Sequence, residues 1–201
     1  MKLRHLLLLG TAVLIGLTAV VGTLVYARPH TFQGSLYEPP LPAADFALSD
    51  QHGQSFQLSQ NQGDIVLMFF GYSNCPDVCP VTLSDFKKVK EELGQQADRV
   101  RFVFITTDPE RDSPERLLEY LGYFDPGIIG LTGSRSELEK VWDAYGVYQA
   151  KVETGSVSGY TVDHTSRVYL IDSEGNFRMT FPFGTEARAM AGDVAELLKR
   201  K

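Results

Sequence analysis

Ile65-Val66-Leu67-Met68-Phe69-Phe70 is an apolar run with no polar alternation. A strand with one wet face alternates polar and apolar residues, whereas one covered on both faces does not. The run is therefore expected as a central strand buried from both sides, which commits the chain to layers of helix packed on a sheet. Directly after it come the only two cysteines, in Gly71-Tyr72-Ser73-Asn74-Cys75-Pro76-Asp77-Val78-Cys79-Pro80. A strand feeding a proline-flanked turn and then a helical pattern delivers both sulfurs at or near a helix N-terminus. There the peptide dipoles favour thiolate, the form that binds metals and attacks disulfides. Residues four apart share one side of a helical turn. The pair can also be read as two small buried apolar residues or as an inert structural disulfide. Three intervening residues close too short a loop to stabilise a scaffold much, so chemistry is the favoured reading.

The start of the chain bears on where that chemistry takes place. Lys2, Arg4 and His5 precede Leu6 to Tyr26, twenty-one residues without a charge. At ~1.5 Å per residue they reach roughly 30 Å, the thickness of bilayer hydrocarbon. Cleaved signal peptides have apolar cores of about 7–15 residues, so a retained anchor is expected over residues 1–27, although Val25-Tyr26-Ala27 is a passable cleavage site. Lys2 and Arg4 before the span, against Arg28 after it, predict a cytoplasmic N-terminus and an exported remainder. No Arg- and Ser-rich leader precedes the span, which argues against mitochondrial import and for a single-pass protein of the bacterial plasma membrane, its domain facing the periplasm or cell exterior. Cysteines exported there meet an oxidising compartment.

Residues 1–27 hold two of the nineteen Lys and Arg and none of the twenty-five Asp and Glu, leaving seventeen cations against twenty-five anions, a net −8, beyond them. That sign, with no basic cluster, makes the exported part a poor candidate for binding nucleic acid or anionic lipid surfaces. Residues 28–43, with Pro29, Pro39, Pro40 and Pro42, read as a semi-extended tether. Residues 44–201 suffice for one well-buried core.

Within that domain Phe46 to Leu48 and Ser55 to Leu58 read as a small hairpin, and Leu83, Phe86, Val89 and Leu93 mark a helix that Gly94 ends. Val100 to Thr106 is the next buried strand, and Ser113-Pro114 caps a helix through Leu117, Leu118 and Tyr120. Ile128 to Leu131 is a short strand, and Ser134 with Glu137 forms a capping box before Leu138, Val141, Trp142 and Tyr145. Arg167 to Ile171 and Phe177 to Phe181 flank a Ser173-Glu174-Gly175 turn, and a last helix starts at Thr185. Strand and helix alternate, then hairpin and helix follow, with an extra strand–helix unit around 128–146. This is a three-layer α/β, thioredoxin-like pattern with its cysteines at the carboxyl end of a central strand, where open α/β sheets build sites.

Several segments together then acquire a family likeness. Phe70-Gly71-Tyr72, the Cys75 to Pro80 stretch, Thr107-Asp108-Pro109-Glu110-Arg111-Asp112, and Asp163-His164 followed by Tyr169-Leu170-Ile171-Asp172 resemble the SCO/SenC family. Those proteins are membrane-tethered and help install copper in cytochrome c oxidase. The resemblance runs from about Ala44 to Leu198 and includes the anchor; Ser73-Asn74 departs from the Thr-containing turn common before the first cysteine. It implies copper bound by Cys75, Cys79 and His164. Two thiolates and an imidazole suit Cu(I) and can hold Cu(II), but do not suit Mg or Ca. Zinc would want a fourth ligand, for which Asp77, Asp163 or water are the candidates.

Other residues have two readings each. His5, His30 and His52 fall in the leader, the tether and a turn tip; His164 alone enters an expected core strand, the one beside the cysteine loop in thioredoxin-like folds. Asp163 either orients the imidazole or belongs to a turn. Asp108 to Asp112 is either a solvated turn and cap, or a stretch in which Asp108 or Arg111 tunes the cysteine loop. Tyr148 to Tyr160, with Gly155 and Gly159, reads as a long flexible segment leading to His164, or as a plain surface excursion.

Two functions are open at this stage. One is a metallochaperone without catalytic turnover, passing copper to the copper-accepting subunit of cytochrome c oxidase or to another exported copper protein. The other is a thiol–disulfide oxidoreductase, with Cys75 attacking and Cys79 resolving. The three-residue spacer, and Asp163-His164-Thr165 where a thioredoxin has proline, favour the first. A peroxiredoxin-type peroxidase ranks third.

Overall fold

The computed structural model describes residues 30–155 and 159–199, with positions 4, 5, 10, 11, 13–18 and 20 nearer the start. The chain divides into two units, residues 1–31 and 32–201. In the first, the described positions up to 20 are helical. The span expected over Leu6 to Tyr26 lies largely outside the described residues, among which no helix is long and apolar enough to cross a membrane.

The second unit holds, in chain order, β1 (Ser35–Pro42), β2 (Ala47–Asp50), β3 (Ser55–Gln57), β4 (Ile65–Gly71), α1 (Val78–Leu93), β5 (Val100–Thr106), α2 (Pro114–Gly122), β6 (Ile129–Thr132), α3 (Arg135–Ala144), β7 (Gln149–Glu153), β8 (Tyr160–His164), β9 (Arg167–Ile171), β10 (Asn176–Pro182) and α4 (Ala187–Lys199). Eight strands form one sheet in the order β1-β10-β9-β4-β5-β6-β2-β3, and β7 and β8 form a separate pair. β4, β5 and β6 run parallel, and β9 lies antiparallel beside β4.

All seven residues of β4 are buried, because the sheet is covered on both faces. Ile65, Leu67 and Phe69 point into one core with Leu83, Phe86 and Val89 of α1, Leu117 and Leu121 of α2, and Val194 of α4. Val66, Met68 and Phe70 point into the other with Leu138, Val141 and Trp142 of α3. This is the mixed α/β sheet with flanking helices that the element pattern predicts. Ser113 caps α2 by accepting from the Arg116 N–H, with Pro114 in the first turn. The Ser134–Glu137 capping box forms at the start of α3.

Three expectations change. Residues 28–43 are not tether throughout: Ser35–Pro42 pairs with β10 as an edge strand, with a register shift between Leu36 and Leu41. Prolines are tolerated there because an outer edge asks for no donated ladder bond. Just ahead of it, the buried Asp193 carboxylate accepts from the Gln33 and Gly34 N–H groups at 2.9 Å each. Tyr148 to Tyr160 is not a loop throughout, since Gln149 pairs with His164 and Glu153 with Tyr160 in an antiparallel hairpin, while residues 156–158 lie outside the described residues. The last helix begins at Ala187, because the Thr185 hydroxyl and N–H turn back to the Pro182 carbonyl.

Candidate metal centre

The cysteine turn is fastened at both ends. Gly71 closes β4, and its carbonyl accepts from the Thr107 N–H at 2.7 Å. The Ser73 N–H donates to the Asp112 carboxylate at 3.1–3.2 Å, and the same carboxylate takes the Thr106 hydroxyl at 2.6 Å. Asp112 is almost wholly buried, which pushes its pKa up while its hydrogen bonds from Ser73 and Thr106 pull it down. Cys75 sits half-buried three residues ahead of α1, and Cys79 is the wholly buried second residue of that helix. Gly71 makes the room: a Cβ there would stand 2.8 Å from the Cys79 sulfur.

Neither cysteine is in a disulfide. The Cys79 thiol hydrogen-bonds Cys75, and with a smaller contribution from His164 this lowers the Cys75 pKa to about 3 against the opposing effect of burial. Cys79 moves far the other way, pushed up by burial and by the neighbouring Cys75 sulfur. One sulfur is therefore a half-exposed thiolate and the other a sequestered thiol.

His164 completes the group. Its Nε2 is 3.6 Å from the Cys79 sulfur, and its Nδ1 is 3.2 Å from the Thr165 carbonyl oxygen. An Nδ1–H donated to that carbonyl would leave the Nε2 lone pair for an ion held beside the sulfurs, the arrangement metal-binding imidazoles use. Phe69 and Tyr72 meet the ring in edge contacts at centroid distances of 6.0 and 5.9 Å. The three donor atoms all lie within 4.8 Å of one another, and they are the one such cluster of His, Cys, Asp or Glu among the described residues. His164 does not enter a strand of the main sheet as expected. It ends β8, and it reaches the sulfurs because β9, starting at Arg167, runs beside β4.

The outer candidates fare differently. Asp77 is exposed at the head of α1, with no side-chain cap bond. Asp163 is exposed, because successive residues of a strand face opposite ways, so the Thr165 carbonyl takes the place expected for it beside the imidazole. Asp108 is wholly buried, ion-paired with Arg111, and accepts the Tyr160 hydroxyl at 2.8 Å. Asp112 and Tyr160 are site residues that sequence reasoning passed over. Asp112 stood inside the quoted acidic stretch, whereas nothing local marked Tyr160. The cluster contains no carboxylate, so the donor set is two sulfurs and one nitrogen, which suits a soft ion content with three ligands.

Comparison with known proteins agrees with this geometry. The chain is 36% identical over 165 residues to an SCO2-like protein of Rickettsia conorii, covering 81% of this chain and 80% of that one. The structure of Bradyrhizobium japonicum ScoI with copper bound is similar at a TM-score of 0.72 and 39% identity, covering 78% of this chain and 99% of the other. Yeast Sco1 with copper bound is similar at 0.71 and 34% identity, covering 81% and 91%. The family described as SCO1/SenC matches residues 36–199. The chain belongs to the SCO1/SenC family.

Proposed function

We propose that this protein carries copper from the outer face of a bacterial plasma membrane to an exported acceptor, the copper-accepting subunit of cytochrome c oxidase or another exported copper protein. The observation that carries the reading is the convergence of Cys75, Cys79 and His164, three donors of the right softness within 4.8 Å. The copper held by relatives of this fold supports it. In this reading Leu6 to Tyr26 anchors the chain, and the tether ends where β1 joins the sheet.

The residues divide the work by exposure. Cys75, half-buried and already a thiolate, is the sulfur that an incoming acceptor ligand reaches. Cys79, wholly buried, holds on from beneath. His164 presents Nε2, and its Nδ1–H stays on the Thr165 carbonyl. Transfer is then an exchange of ligands, with no net redox change.

The test is His164→Ala. Cu(I) retention against a competing chelator should fall at least about tenfold, since losing even a hydrogen-bond partner of a metal ligand costs about 10–100-fold in affinity. Unchanged retention would remove the imidazole, and with it this copper site.

The depressed Cys75 pKa favours a second reading, reduction of a partner disulfide. The Cys75 thiolate attacks one partner sulfur and releases the other as thiolate. Cys79 then passes its proton to the partner thiolate already released and attacks Cys75, releasing the partner's second sulfur as thiolate and closing a Cys75–Cys79 disulfide. His164→Ala should leave the rate of that reaction nearly unchanged, which separates the two readings.

A further inference from the structure

The hairpin that carries His164 shares no ladder with the main sheet; β7 and β8 pair only with each other. Its attachments to the cysteine side are side-chain contacts. Along β8, Tyr160, Val162 and His164 share the inner face, with Val162 buried in the core and Asp163 exposed between them. Val162 packs in the same core as Tyr72 of the cysteine turn. The firmest fastening is at Tyr160. Its hydroxyl donates to buried Asp108 at 2.8 Å, its carbonyl accepts from Arg111 at 3.0 Å, and the Arg111 guanidinium lies 3.7 Å from its ring centroid. Arg111 is itself ion-paired with Asp108.

The same short stretch grips the other arm, since Asp112 holds the Ser73 N–H. Residues 108–112 thus grip both the cysteine turn, through Ser73, and the histidine hairpin, through Tyr160, and the grip on the histidine side is the one made without a backbone ladder. Tyr160 and His164 are four positions apart, about 13 Å along a strand, so the tyrosine acts at a distance and not as a ligand.

We infer that Asp108, Arg111 and Tyr160 form a latch on the β7–β8 hairpin: closed, it sets His164 against the sulfurs; open, the hairpin carries the imidazole away and leaves the dithiolate to the acceptor. These are positioning residues, and the inference rests on the copper reading given above while going beyond it.

Tyr160→Phe removes the hydroxyl and keeps the ring beneath the guanidinium; Arg111→Lys keeps the charge and loses the fork, and serves as the second variant. Both are made in the full-length chain in detergent. In metal-free protein, amide hydrogen exchange over 149–153 and 160–164 should quicken about tenfold, the scale of one hydrogen bond to a carboxylate, while β4 and β5 amides keep their rates. In Cu(I)-loaded protein, loss to a chelator should quicken by a similar factor with His164 present and not at all in a His164→Ala background. Unchanged hairpin exchange in both variants overturns the latch. So does equal acceleration in both backgrounds, or none in either. Should His164→Ala alone leave copper retention untouched, the copper reading falls, and the exchange rates alone then decide for or against the latch.

Discussion

The two arms of the site are built on different principles. The cysteine arm belongs to the main sheet: β4 is paired on both sides, buried along its length, and continues into a helix whose second residue is Cys79. Each large side chain of that strand contributes ~1.5–3 kcal/mol through burial, and moving the cysteines means moving that core. The histidine arm is a two-stranded hairpin, a unit only marginally stable alone in water, of which Val162 is the one wholly buried side chain on β8. A pair of donors is fixed and the third is conditional. For the copper carrier proposed above, that asymmetry would separate holding from giving up, because opening this hairpin would also withdraw a ligand.

If the arms are separable, the ionisation of Cys75 belongs to the cysteine arm. Its largest cause is the Cys79 thiol, with His164 a smaller one. An ordinary thiol gains roughly tenfold in thiolate per pH unit below its pKa of about 8.5, and its alkylation rate rises in step. Cys75, already ionised above a pKa of about 3, should alkylate at a rate that is flat between about pH 5 and 7.5 in reduced, metal-free protein. Cys79 should not react over the same range, being buried and protonated. The profile should stay flat in His164→Ala. A steep profile in that variant would mean that the histidine arm sets the thiolate, and the division drawn above would be lost.

A smaller effect is expected from crowding the cysteine arm. Gly71→Ala would set a Cβ 2.8 Å from the Cys79 sulfur, 2.9 Å from the Phe69 ring and 3.0 Å from the Phe104 ring. All three neighbours are packed in the core, so the strain has no flexible side-chain end to escape through, and overpacking of this kind costs ~1–3 kcal/mol. The denaturation midpoint should fall accordingly and Cu(I) retention should drop with it, while exchange in the hairpin keeps its rate. Full stability in this variant would show that Cys79 has slack, and that its placement does not depend on a bare backbone.

What could be read from the chain follows the same division. β4 and its cysteines were legible because an unalternating apolar run has one structural meaning, and the capping residues Ser113 and Ser134 because they act within three residues of themselves. The histidine arm was not. Gln149–Glu153 is half-buried and exposed without alternation, so it reads as loop, and its partner strand is fastened by a carboxylate fifty-two positions away. The imidazole's partner is a backbone carbonyl, which leaves no mark in a sequence, and Asp163 looked suitable only because its neighbour was a histidine. Residues 35–42 read as tether for a related reason: prolines that would break a central strand are harmless on an edge.

The smallest effect should come from the surface. Glu110 reaches Arg135 at the start of α3 at 2.5 Å and Lys151 of the hairpin at 3.5 Å, with all three side chains about a third or more exposed. Pairs of this kind contribute ~0.2–1 kcal/mol, and salt screens them. Glu110→Ala should therefore shift global stability by less than ~1 kcal/mol. Hairpin exchange should quicken by only about two- to threefold at low salt, and the difference should vanish near 0.5 M salt, where the screening length is only a few ångströms. Tyr160→Phe should show its larger effect at both salt concentrations, because Asp108 is buried from the ions. If Glu110→Ala instead matched Tyr160→Phe and the two were equally salt-sensitive, surface charge would be what holds the histidine arm, and the contrast between a buried fastening and an exposed one would collapse.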